Sequence, residues 1–241
     1  MKTFLAIDTI SVPFSIAIGN RESVLAEEIL FDRMALAGQI TLMVDRCCKK
    51  AGLDLSSLSG ILISKGPGSY TGLRIGYSIA KGLCMAMSLP LIEVDPMMAM
   101  AFVAMDQTGD ALNPVFCSAL DARRNEVYLA IFNKYGREIL KPQPCILPIE
   151  LKDLIGDIRP DLICCSGDGA LKLEGQLGDW NYRTTGICSI ASYLFKVMDA
   201  GVEHPDFDSI ASAEPLYLKP PNITISKKKN ARRKMSRNVG P

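Results

Sequence analysis

Two aspartates and one glycine-rich block carry the residue types and spacings that could do chemistry in this 241-residue chain. Asp8 ends the apolar run Phe4-Leu5-Ala6-Ile7, and Asp121 ends Ser118-Ala119-Leu120. A carboxylate at a strand end can hold a metal–phosphate or activate water. It can equally cap a turn by accepting from the backbone two residues on. The block Lys65-Gly66-Pro67-Gly68-Ser69-Tyr70-Thr71-Gly72-Leu73-Arg74-Ile75-Gly76 is fed by an apolar run and followed by good helix formers. Free N–H groups and the dipole at a helix start favour an anion. Asp8, Thr9, Gly66, Gly68, Ser69 and Thr71 therefore make a candidate anion or nucleotide loop. Spacing argues against a standard one. A Walker loop needs lysine after its second glycine, and Leu73 follows Gly72 here. The dinucleotide pattern Gly-x-Gly-x-x-Gly is missed by one residue, because Gly72 lies four after Gly68.

Other chemistries are poorly supplied. The eight cysteines contain no Cys-x-x-Cys pair and lie mostly in apolar runs, as reduced core residues do. A single histidine, His204, supports neither a two-histidine metal site nor a Ser-His-Asp set. Arg123, Arg124 and Glu126 suit a turn or a solvated face as well as a site. No apolar stretch reaches the roughly 18 residues that span a bilayer, and no signal-peptide layout opens the chain. A cytoplasmic protein is expected.

The elements that must position these residues follow from periodicity. Strands are expected at 4–7, 14–18 and 24–30, joined by short turns and so antiparallel. A helix over 35–51 carries Leu36, Ile40, Met43, Val44 and Cys47 on one face, with Gly52 as its stop. A strand at 60–64, a helix over 71–88 and a strand at 91–94 come next. Asp95-Pro96 opens a further helix as N-cap and first residue, ending near the polar stretch 106–109. Along helix 71–88, Gly72, Gly76, Ala80 and Cys84 recur every fourth residue. Such a narrow stripe allows close approach of a second helix, in this chain or another.

The first lobe then recurs at an offset of 113 residues. Asp8 matches Asp121, Phe14–Ile18 matches Val127–Ile131, and Asn20 matches Asn133. A duplicated strand–Asp–turn–strand unit is implied. Residues 141–148, with three prolines, suggest a loop. A short helix at 149–155, a strand at 161–165 running into Ser166-Gly167-Asp168-Gly169, and a last helix over 190–200 closed by Gly201 complete the pattern. Beyond 221 the sequence is basic: seven Lys or Arg and no acid from Ser226 onward. Subtracting these seven from 27 leaves 20 basic against 26 acidic residues, so the body is acidic and the tail basic. The tail is expected to be disordered, and it could bind RNA phosphates, although it has no aromatic residue for stacking.

The motifs Ala6-Ile7-Asp8-Thr9, the block 65–76 with Ala80-Lys81-Gly82-Leu83, Asp121-Ala122-Arg123 with Glu126-Val127-Tyr128, and Pro215-Leu216-Tyr217-Leu218 occur in that order. Over residues 2–220 the chain resembles the TsaB (YeaZ-like) family of tRNA threonylcarbamoyladenosine biosynthesis proteins. The resemblance implies an α/β, ribonuclease-H-like, actin-type (ASKHA) fold of two related lobes with mixed sheets flanked by helices. Lobes at 1–107 and 108–220 are expected, the last helix packing back on the first lobe, with a tail at 221–241. The resemblance implies a non-catalytic scaffold of the complex that adds threonylcarbamoyl to the adenosine next to the tRNA anticodon. The implied partners are a TsaD-like catalytic paralogue, a TsaE-like ATPase and tRNA through the complex, with a homodimer as an alternative pairing. ATP and metal would belong to the partners, leaving no cofactor or metal on this chain. The family pairs through helices of its first lobe, so Leu36, Ile40, Met43, Val44, Cys47, Gly72, Gly76, Ala80 and Leu83 are the expected partner interface. The catalytic paralogue carries a metal-binding His-x-x-x-His on its first helix, where Leu36 and Ile40 align here. An actin-type ATPase or kinase using Asp8, Asp121 and the two glycine turns is the competing reading.

Overall fold

A computed structural model describes residues 2–109, 113–198 and 207–220. His204, the end of the helix expected over 190–200 with Gly201, and the basic tail lie outside the described residues. The first sheet contains β1 (Phe4–Asp8), β2 (Phe14–Gly19), β3 (Val24–Leu30), β4 (Ile61–Ser64) and β5 (Leu91–Val94), in the order β3-β2-β1-β4-β5. β1, β2 and β3 pair antiparallel, and β4 and β5 run parallel to β1. The second sheet contains β6 (Pro114–Asp121), β7 (Glu126–Asn133), β8 (Glu138–Ile146), β9 (Leu162–Ser166) and β10 (Tyr182–Thr184), in the order β10-β9-β6-β7-β8. Its pairing directions are the same. One mixed five-stranded unit thus occurs twice, as an actin-type fold of two ribonuclease-H-like lobes requires.

The repeat extends to single hydrogen bonds. Asn20 Oδ1 accepts from the amides of Glu22 (2.9 Å) and Ser23 (3.1 Å), and Asn133 Oδ1 from those of Tyr135 (2.9 Å) and Arg137 (3.0 Å). Each asparagine caps the turn after the second strand of its lobe.

Three long helices belong to the first half: α1 (Leu36–Ala51), α2 (Tyr70–Met87) and α3 (Pro96–Thr108). Left-handed Gly52 ends α1, its amide reaching the Cys48 and Lys49 carbonyls. Asp95 caps α3 through Oδ1 to the amides of Met97 (2.9 Å) and Met98 (3.2 Å), with Pro96 at the first position. Among the described residues, the α-helices of the second half are the short α4 (Leu151–Ile155) and α5 (Phe207–Ser212). No described helix is long and apolar enough to cross a membrane.

Two differences from the sequence reading have plain causes. Residues 141–148 are not simply a loop, because β8 runs to Ile146 through Pro142 and Pro144. β8 is an edge strand, and an edge tolerates residues that cannot donate inward. The helix expected from 190 is a 3₁₀ helix over Ala191–Val197. Its Ala191, Leu194 and Phe195 pack on Phe4, Ala6 and Leu62 of the first sheet. The chain therefore leaves the second sheet and crosses back to the first lobe. There Lys81 Nζ of α2 donates to the carbonyls of Ala211 (2.7 Å) and Ala213 (3.0 Å). Residues 214–220 continue as a strap, with the Leu216 amide bonded to the Lys65 carbonyl at 2.7 Å.

Candidate functional site

The cleft between the lobes collects the residues with chemical potential, but not in the arrangement a nucleotide loop needs. Asp8 is fully buried. Its Oδ1 accepts from the Ile10 amide at 3.1 Å, and its Oδ2 accepts from the Ser189 hydroxyl. Burial pushes its carboxyl above the usual range, against these hydrogen bonds. Asp121, 113 residues on, makes the same turn: its Oδ1 accepts from the Arg123 amide at 2.6 Å. Both aspartates are turn caps, the structural alternative to catalysis.

Ile10 packs directly against the glycine block. A Cβ at Gly68 would lie 2.6 Å from both Ile10 Cβ and the Ile10 carbonyl oxygen, and the Ser69 amide donates to that carbonyl at 2.6 Å. Gly66 is left-handed (φ 104°) and abuts the Leu216 carbonyl. Asp8, Thr9 and Gly66 accordingly lie under the cleft and not on its wall. Gly68, Ser69 and Thr71 do line it, with Ser11, Arg33 and Arg123, around a volume of about 340 Å³. The six-residue anion loop expected from sequence is thus only half exposed to any ligand.

The second glycine turn faces the same cleft through Asp168. Its Oδ1 accepts from the Asp121 amide at 2.9 Å, and burial pushes this carboxyl up as well, with the neighbouring Asp121 carboxylate acting in the same direction. Lys172 Nζ contacts Asp121 Oδ1 at 2.5 Å. At the mouth, Arg74 lies 4.1 Å over the Tyr70 ring, and Tyr70 and Tyr217 have ring centroids 4.9 Å apart. Sequence reasoning missed Ile10, Ser11, Arg33, Tyr217 and Lys219. Tyr217 belongs to a quoted motif, yet nothing in the sequence shows that the strap returns to the glycine block.

The second candidate surface is the outer side of α1 and α2. Here the expected interface residues need correction. Leu36, Ile40, Met43, Val44 and Cys47 are buried, as are Gly72, Gly76 and Ala80, within the chain's own core. Periodicity identifies the apolar face of a helix, and that face belongs first to the helix's own sheet. The small-residue stripe likewise serves a strand turn: a Cβ at Gly72 would lie 2.1 Å from the Thr9 carbonyl oxygen, and one at Gly76 2.3 Å from Thr9 Oγ1. Burial pushes the Cys47 thiol up to about 12, so it stays protonated and inert. Of the nine positions only Val44 and half-buried Leu83 reach an external groove of about 530 Å³, which Thr41, Cys48, Leu53 and Ile79 also line. Leu42, Met85 and Met87 are exposed on the same two helices, at 50%, 54% and 40%.

The family model described as TsaD, tRNA N6-adenosine threonylcarbamoyltransferase, matches residues 34–145. The chain is 34% identical over 230 residues to the tRNA threonylcarbamoyladenosine biosynthesis protein TsaB of Haemophilus influenzae, covering 90% of this chain and 93% of that protein. It is 28% identical over 229 residues to the TsaB of Bacillus subtilis, covering 90% and 98%. The crystal structure of an uncharacterized Pseudomonas aeruginosa protein with similarity to peptidase YeaZ superposes with a TM-score of 0.71 at 23% identity, covering 91% of this chain and all of that one. The fold agrees, and identity runs through both lobes of full-length relatives. The chain therefore belongs to the TsaB family of tRNA threonylcarbamoyladenosine biosynthesis proteins.

Proposed function

We infer that this chain is a non-catalytic scaffold subunit in tRNA threonylcarbamoyladenosine biosynthesis, binding and activating a TsaD-type catalytic paralogue through the outer face of α1 and α2. The carrying observation is the groove between these helices, with exposed Leu42, Met85 and Met87 on the same pair. An external groove and exposed apolar side chains on one helix pair suit a docking surface. Two further observations support the scaffold role. Leu36 and Ile40, where the family resemblance expects the catalytic paralogue's metal-binding histidines, are aliphatic and buried at 2% and 1% exposure. Ile10 packs on Gly68, and the Ile10 carbonyl takes the Ser69 amide, so that one amide of the glycine block is not free for an anion. In this reading ATP and metal reside on the partner subunits, a TsaE-type ATPase joins the pair, tRNA enters through the assembly, and the complex is cytoplasmic. A second copy of this chain would seat on the same face, so self-pairing and hetero-pairing compete.

The test is co-purification with a TsaD-type subunit and a tRNA modification assay with and without this chain. Leu42→Glu combined with Met85→Glu should abolish both pairing and stimulation while leaving the melting temperature near wild type. Undiminished pairing of that double variant would overturn the assignment. Ile40→Arg and Gly76→Leu are unsuitable probes, because both strike the core and would unfold the chain.

A further inference from the structure

The mouth of the interlobe cleft carries a group of cations that neither the fold nor the helix face uses. Arg123 and Arg124 form the tip of the β6–β7 hairpin, with φ of 66° and 54°. Left-handed backbone is disfavoured for a non-glycine residue, and Asn-Gly is the relaxed choice for such a turn. Both arginines are exposed. Neither packing nor backbone geometry therefore accounts for two adjacent arginines there. Arg33 faces the same cleft from the loop before α1. No ion pair of Arg33, Arg74 or Arg123 occurs among the described residues.

The acids around this mouth are already engaged. Lys172 pairs with Asp121, and Lys219 with Glu126. Asp168 accepts from the Asp121 backbone amide, and the Arg33 charge acts on its carboxylate. Beside the cations stand aromatic faces: Tyr70 and Tyr217, with Arg74 over Tyr70. Tyr217 is 38% exposed. Ser11, itself 93% buried, lines the cleft, and its hydroxyl has no hydrogen-bond partner. An otherwise acidic body thus gathers cations and stacking faces at one place.

Guanidinium groups beside exposed rings are what a nucleic-acid strand needs: phosphates take the cations, and bases stack on the rings. We propose that the cleft mouth, with Arg33 and Arg123 on phosphates and Tyr217 stacking a base, is a docking face for an RNA strand. This gives the scaffold its own contact with tRNA and rests on the reading that the chain works in tRNA modification.

The test uses the full chain and a fluorescein-labelled, unmodified tRNA transcript in anisotropy titrations from 50 to 300 mM salt. Arg33→Ala with Arg123→Asn, which keeps a residue tolerant of the left-handed turn, should weaken binding about tenfold at low salt. It should also lower the salt slope by about two, one for each lost phosphate contact. Tyr217→Ala should weaken binding of a single-stranded oligoadenylate about fivefold or more with an unchanged slope. The idea is overturned if the arginine pair alters neither affinity nor slope, or if truncation after Pro221 alone removes all binding. It is also overturned if inorganic phosphate or a mononucleotide competes at concentrations far below its phosphate equivalent in RNA, which would make the cleft a small-anion site. Circular dichroism melts confirm that each variant is folded. Co-purification with the TsaD-type subunit is measured on the same variants. Lost RNA binding with intact pairing supports the docking face, whereas intact RNA binding without pairing in wild type would sink the scaffold reading alone.

Discussion

At the residue scale, the two related aspartates show how a position is kept while its burden changes. Asp121 is exposed and paired with Lys172, whereas Asp8 is sealed beneath Ile10 and Ser189. Burial raises the folded carboxyl of Asp8 above its ordinary 3.8. The folded state then binds more protons than the unfolded state once pH exceeds 3.8. Stability from this group is complete below that value and is lost as pH rises through the folded value, at about 1.4 kcal/mol per unit of separation. Asp8→Asn keeps an acceptor for the Ile10 amide and removes the buried charge. Thermal melts from pH 4 to 8 should therefore show the variant gaining on wild type as pH rises. A difference between the two that stays constant with pH would mean that Asp8 titrates normally.

At the element scale, α2 holds glycines with opposite roles. A methyl at Gly72 would meet the Thr9 carbonyl at 2.1 Å, a backbone atom that cannot swing aside, whereas nothing lies within 4 Å of a Cβ at Gly82. Gly72→Ala should cost about 1–3 kcal/mol, as overpacking does. Gly82→Ala should gain about 0.5–1 kcal/mol from helix propensity. Urea melts that gave both substitutions the same sign would refute this division. The same helix shows what the sequence could convey. Its limits, the Gly52 stop on α1 and the Asp95-Pro96 start of α3 were legible because caps and 3.6-residue periodicity are local. The duplication was legible because Asp8 and Asp121, and Asn20 and Asn133, make the same turn bonds at one offset. Long-range placement was not. The stripe at 72, 76 and 80 announced a close approach without saying that Thr9 makes it. Pro142 and Pro144 announced a break, although an edge strand accommodates them. Of the anion loop, only Gly68, Ser69 and Thr71 reach the cleft, because Asp8 is held by Ile10 and Ser189, Thr9 packs on Gly72 and Gly76, and Gly66 abuts the Leu216 strap, and no local signal carries that.

At the scale of the whole molecule, the two lobes share one interior. α3 lies between the sheets: Met97, Met100, Ala101 and Ala104 belong to the same buried cluster as Phe116, Leu120, Phe132 and Cys164 of the second sheet. Ser118 Oγ of β6 donates to the Met97 carbonyl at 2.6 Å. The 3₁₀ helix at 191–197 adds a second tie, since it follows the edge strand β10 of the second sheet and packs on the first. Separating the lobes would expose both seams at once, so the molecule should unfold as a single cooperative unit. The chain offers a convenient pair of probes. Its one tryptophan, Trp180, packs against the core of the second lobe. The long helices α1, α2 and α3, which dominate helical circular dichroism, belong to the first half. The two signals should give coincident denaturant transitions. Met100→Ala, fully buried in α3, should lower stability by about 2–5 kcal/mol and move both transitions together. If the helical signal shifts while Trp180 fluorescence keeps its wild-type midpoint, the lobes are independent and α3 belongs to the first alone. A cooperative pair of lobes also bears on partner binding: a subunit docked on α1 and α2 would then stabilise the second lobe as well, and with it the Arg123 hairpin that frames the cleft mouth.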